Sequence, residues 1–103
     1  MGSMLPWPEM NAKVDDLALQ VLSENDQERG LTQIEVAQAI TARSEFLCRY
    51  AMAWHSLQRL IDRGLACKAV GERKGRGRYA PVYYDLTDDG FSVAVNGAKV
   101  GVA

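Results

Sequence analysis

From Asn11 onward, apolar residues recur at Val14, Leu17, Ala18, Val21 and Leu22. Steps of three and four place them on one side of a helix, and Asn11 is a suitable cap for it. The polar run ENDQERG, 24–30, closes that helix. Ahead of it, Pro6 and Pro8 flank Trp7 and oppose a helical start, so residues 1–10 read as an N-terminal arm laid on the domain. Met1–Ser3 reads as a cloning remnant, with Met4 the natural start. In LTQIEVAQAI, Thr32 precedes Glu35 by three residues, the signature of a capping box, and a second helix is expected with Ile34, Ala37 and Ile40 on its buried side. The polar break TARSE leads into a longer helical pattern. There Phe46, Tyr50, Ala53, Leu57 and Leu60 form one stripe, with Ile61 beside them. Gly64 stands where a helix commonly stops.

After Gly64 the period shortens. LACKAVGE and YAPVYYDL are short and rich in Val and Tyr, and RKGRGR separates them, so the pattern predicts a β-hairpin with a glycine-containing loop. Pro81 has no N–H for a ladder and places its strand at an edge. In LTDDG, Thr87 is a cap and Asp88 and Asp89 suit a helix N-terminus. The remainder, FSVAVNGAKVGVA, is broken by glycines and shows no sustained period. The expected class is α+β and mostly helical: three helices, a two-stranded hairpin, then a short C-terminal helix or tail. Residues 1–10 are the arm, 11–90 the domain, and 91–103 a tail that is a candidate dimer contact.

The chain has 103 residues and a net charge of −1, with 48% hydrophobic and 24% charged residues. That suits one globular domain with a modest core. The charge is unevenly spread. Residues 1–30 hold two basic and six acidic side chains, residues 31–63 four and three, and residues 64–103 six and four. Arg73, Lys74, Arg76 and Arg78 crowd into six positions of the predicted hairpin loop. A loop this locally basic suits a defined contact with an anion better than general adhesion to polyanions.

Other chemistry is poorly supplied. His55 is the single histidine, and with Cys48 and Cys67 it forms no metal-binding spacing. The cysteines read as small packing residues, Cys48 being the one that can face outward, and their low number makes a reducing cytoplasm the expected compartment. No apolar run is long enough for a bilayer. GERKGRGR lacks the Gly-Lys-Ser/Thr ending of a phosphate loop. No catalytic nucleophile–histidine–acid set can be assembled, so an enzyme is not expected, and no cofactor is implied.

Three helices followed by a hairpin is the layout of a winged helix-turn-helix, and the sequence resembles the winged-helix transcription regulators of the MarR and PadR types. The resemblance covers roughly residues 12–90. It rests on LTQIEVAQAI as the first helix of the turn unit, AWHSLQRLIDRGLA as the end of the following helix, and YYDLTDDG after the hairpin. Ala53, Leu57, Leu60, Gly64 and Leu65 fill the small, leucine and Gly-Leu positions of that pattern. The resemblance implies a DNA-binding regulator in which the third helix enters the major groove and the hairpin forms a wing. Two-fold pairing onto a palindrome implies a homodimer, although thirteen residues after Gly90 leave room only for a small dimer contact.

With Leu57 and Leu60 inward, the opposite face of that helix is expected to show Arg49, Met52, His55, Ser56 and Arg59 to DNA. Arg73, Lys74, Arg76 and Arg78 are expected on the flanking backbone or in the minor groove, where Gly75 and Gly77 permit close approach. GRGR also resembles the AT-hook core, with Tyr79 in place of the proline that would follow. Thr32, Gln33 and Ser44 complete the candidate set. Trp54 reads as a core or subunit-contact residue. Two alternatives stay open at this point: a winged helix used for protein–protein contact, which the net charge favours, and a binder of structured RNA. Operator, direction of regulation and effector ligand are not legible.

Overall fold

The computed structural model describes residues 7–26, 28–71 and 80–100. Its elements in order are α1 (Trp7–Ser23), α2 (Gln33–Arg43), α3 (Tyr50–Asp62), β1 (Ala66–Val70), β2 (Val82–Leu86) and α4 (Asp88–Val100). The expected class is therefore present, with a fourth helix in place of an undecided tail. α1 begins at Trp7, four residues before the anticipated cap, so positions 7–10 belong to the helix rather than to an arm. Pro8 sits in the first turn, where a backbone N–H has no intrahelical partner and its loss costs nothing.

α1, α2 and α3 pack together around Val14, Ala18, Val21, Leu22, Val36, Ala37, Ile40, Ala53, Leu57 and Leu60. The α2 stripe differs from expectation at one position: Val36 is buried, whereas Ile34 is 48% exposed. The stripe of α3 also shifts, because Tyr50 is exposed and Phe46 lies before the helix, half-buried against the core. Cys48 is buried, in keeping with a packing residue, whereas Cys67 is exposed. The Cys48 backbone is fixed by the Thr41 hydroxyl, which accepts its N–H at 2.8 Å and so staples the α2–α3 turn to the end of α2.

α3 stops as its sequence requires. Gly64 adopts φ +75°, its N–H reaches the Ile61 carbonyl at 2.9 Å, and the Leu65 N–H reaches the Leu60 carbonyl at 2.8 Å. This double bond closes a Schellman motif, with Leu60 and Leu65 forming its buried apolar contact. β1 and β2 then pair antiparallel in the register Ala66↔Leu86 through Val70↔Val82. Leu31 joins the other edge of β2 through two backbone bonds with Tyr84, at 2.9 and 2.7 Å, and so ties the hairpin to the start of α2.

Thr87 connects the hairpin to α4. Its hydroxyl donates to the Gly64 carbonyl at 2.7 Å and accepts the Gly90 N–H at 3.0 Å. Gly90 presses against the Leu65 carbonyl so closely that a Cβ there would overlap it. α4 lies along α1 and β2, half-burying Ala94 and leaving Phe91, Val93 and Val95 in solvent. Among the described residues, no helix is long and apolar enough to cross a membrane.

Candidate nucleic-acid interface

The helix pair α2–α3 is assembled from strong local signals. Thr32 caps α2: its hydroxyl accepts the Glu35 N–H at 3.2 Å while Glu35 accepts the Thr32 N–H at 2.9 Å. Arg29 reinforces the box with two bonds to the Glu35 carboxylate, at 2.8 and 2.9 Å, and its guanidinium lies over the Tyr83 ring. The Arg29 guanidinium, followed by the Thr32 backbone, draws the Glu35 carboxyl down from its ordinary 4.5 to about 2. At the other end of α2, Ser44 binds the carbonyls of Ile40 and Phe46, at 2.7 and 3.1 Å, and shapes the turn. Gln33 reaches across to α3 and donates to the Tyr50 carbonyl at 2.8 Å. Thr32, Gln33 and Ser44 thus each have an internal task.

α3 is oriented by a feature of α1. Asp15 is buried, and it receives the Ser56 hydroxyl at 2.5 Å and the Arg59 guanidinium at 2.8 to 3.2 Å. Ser56 is consequently 0% exposed, which corrects its expected place on the outward face. Arg59 is also removed from a free outward role, because its charge is already matched by Asp15. Met52 is half-buried against the core cluster. Of the expected outward set, Arg49 and His55 are exposed. The accessible side instead passes through Ala51, Trp54, His55 and Asp62, with Gln58 half-buried.

The cations divide by the same logic. Arg29, Arg43 and Arg59 are tied to Glu35, Glu24 and Asp15. Lys13 lies over the Phe46 ring. Arg49, Arg63 and Lys68 have no carboxylate partner among the described residues. Arg49 precedes α3 and Arg63 follows it, so two exposed guanidinium groups without a carboxylate partner among the described residues flank the helix. Arg73, Lys74, Arg76 and Arg78 lie outside the described residues. The flanking Gly71 and Ala80 are described, and the Gly71 N–H meets the Pro81 carbonyl at 2.6 Å.

No protein-family model and no curated protein matches the sequence. Solved structures do. A PadR family transcription regulator from Clostridium difficile superimposes with a TM-score of 0.69 at 22% identity, over 84% of each chain. The fold is the PadR-type winged helix. A transcriptional regulator from Clostridium thermocellum shares it with a TM-score of 0.68 at 17% identity, over 95% of this chain and 88% of its own. A Streptococcus mutans protein does so with a TM-score of 0.63 at 24% identity, over 86% of this chain and 76% of its own.

In this winged helix, α2 and α3 are the helix-turn-helix pair and β1–β2 the wing. Two site features escaped sequence reasoning: the inward roll of Ser56 and the outward position of Trp54. The available signal was Asp15 itself. A carboxylate beside the apolar stripe of α1 requires a partner once buried, and a hydroxyl and a guanidinium one turn apart on α3 supply it.

Proposed function

We propose that this chain is a transcriptional regulator that binds double-stranded DNA as a homodimer. In this reading α3 lies in the major groove, and the basic residues Arg73, Lys74, Arg76 and Arg78 contact the backbone or minor groove. The observation that carries it is an accessible α3 face in a winged-helix fold, with exposed Arg49 and Arg63 flanking that helix. Similarity to solved regulators of the same fold supports it. His55 contributes from the exposed face, whereas Thr32, Gln33 and Ser44 act by holding α2 and its turn in place. A dimer is inferred because one helix reads few base pairs and two-fold pairing supplies the missing affinity. α4 offers a surface for it in Phe91, Val93 and Val95, which are exposed.

The test is selection of bound sites from random duplex DNA. An inverted repeat with half-sites about one helical turn apart is the expected result. Recovery of no preferred sequence, together with failure of heparin to retain the chain, would reject the proposal. A second reading, a protein–protein adaptor, is favoured by one observation: Leu47, Tyr50 and Trp54 expose apolar surface around the turn. The same experiment separates the two, because an adaptor yields no enriched duplex.

A further inference from the structure

α3 buries a serine and leaves a tryptophan in solvent. Ser56 is 0% exposed, whereas Trp54 is 42% exposed. They stand two residues apart, about 200° round the helix, so turning one inward turns the other outward. Tyr50, Trp54, Leu57 and Ile61 recur at helical spacing on one flank of α3, and Met52, Ser56, Arg59 and Arg63 on the other. Burial of apolar surface alone would roll the helix toward the first flank. The observed roll is the other one: Tyr50 and Trp54 are exposed and Ile61 is half-buried.

The opposing pull comes from α1. Asp15 is 7% exposed and accepts the Ser56 hydroxyl together with Nε and Nη2 of Arg59. A buried carboxylate is tolerated only with such donors, and both reach it only when the second flank faces α1. Arg59 follows His55 by one turn, so the same bonds hold back a cation that would otherwise join the accessible side of α3.

We propose that Asp15 is a positioning residue for duplex recognition: it fixes the roll of α3, and with it the side chains that meet the bases, and it withholds Arg59 from phosphate. The inference rests on the DNA-binding reading above. Asp15 and Ser56 are buried, so neither touches a duplex, and changes there act only through the placement of α3 and Arg59.

The experiment compares the full native chain with two variants. Asp15→Leu combined with Ser56→Ala exchanges the polar grip for apolar groups, and Asp15→Asn keeps the size of the side chain but removes its charge. Acrylamide quenching of Trp54, in a Trp7→Phe background, reports the roll without DNA and should weaken in the double variant as Trp54 turns toward the core. Site selection with the double variant should enrich a different sequence. The duplex preferred by the native chain should lose about tenfold of its advantage over single-base changes under α3. In both variants log affinity should fall more steeply with log salt, by about one, because Arg59 is released. A merely structural role would scale binding to every duplex by the folded fraction, leaving preference and slope as they are.

Unchanged preference and slope in the folded variants would overturn the inference while leaving DNA binding intact. Equal quenching of Trp54 with and without the double substitution would overturn it too, since Asp15 would not then set the roll. If circular dichroism shows the double variant unfolded, Asp15→Asn decides, and an unchanged slope rejects the inference. Binding to no duplex by the native chain rejects both the inference and the DNA reading beneath it.

Discussion

Ser56 carries a hydroxyl that would cost roughly 1–3 kcal/mol if buried without a partner. Asp15 supplies the partner at 2.5 Å, and the residue can then sit at 0% exposure among leucines. Glu35 plays a comparable role at the surface, where one carboxylate serves Arg29 and the Thr32 backbone together. Its pKa of about 2 in the fold lies below the ordinary 4.5, so folding favours its ionised form. The associated stability is present above pH 4.5 and is lost as pH falls toward 2. With the side chain about a third exposed, solvent screening limits this to about 1 kcal/mol. The urea midpoint of the native chain should therefore fall over that interval, and Glu35→Gln should flatten the fall. Some slope will remain, because the Arg43 guanidinium also holds the Glu24 carboxyl below its ordinary range. An unchanged pH profile in Glu35→Gln would show that the ion pair contributes nothing.

At the scale of elements, most starts and stops were readable because they are local. The Thr32–Glu35 box, the left-handed Gly64 and the Thr87 cap each need only neighbouring residues to act. The start of α1 lies ahead of the expected cap because the first helical turn tolerates a proline such as Pro8. The roll of α3 was misjudged for a different reason: it depends on α1, 41 residues away along the chain. Asp15→Ala removes all four hydrogen bonds between Asp15 and α3, strands the Ser56 hydroxyl and leaves Arg59 unmatched. A loss of about 2–4 kcal/mol in unfolding free energy is expected by denaturant titration. Asp15→Ala and Arg59→Ala should also be non-additive in a double-mutant cycle, with coupling of about 1–2 kcal/mol. Additive losses would mean that the pair does not hold the two helices together.

For the whole molecule, a net charge of −1 is a poor guide, because the acidic excess lies in residues 1–30 and the basic excess in residues 31–103. What remains for an external anion is the local excess at Arg49, Arg63, Lys68 and the basic 73–78 segment. If about five phosphates are neutralised, log affinity should fall with log salt at a slope near −4.5. Arg49→Ala should make that slope shallower by about one with little change in sequence preference, and paired Arg76→Ala and Arg78→Ala by about two. Fluorescence anisotropy across a salt series measures each. A slope unaffected by all of these variants would remove these cations from the contact.

The order of helices, the hairpin, the caps and the concentration of basic residues were determined by the chain alone, because each follows from interactions spanning a few residues. The face that α3 shows to solvent was decided only by tertiary structure. Its helical spacing admits more than one inward stripe, and the choice fell to a buried carboxylate on another helix whose charge had to be answered. That single requirement drew Ser56 and Arg59 inward and left Trp54 outside.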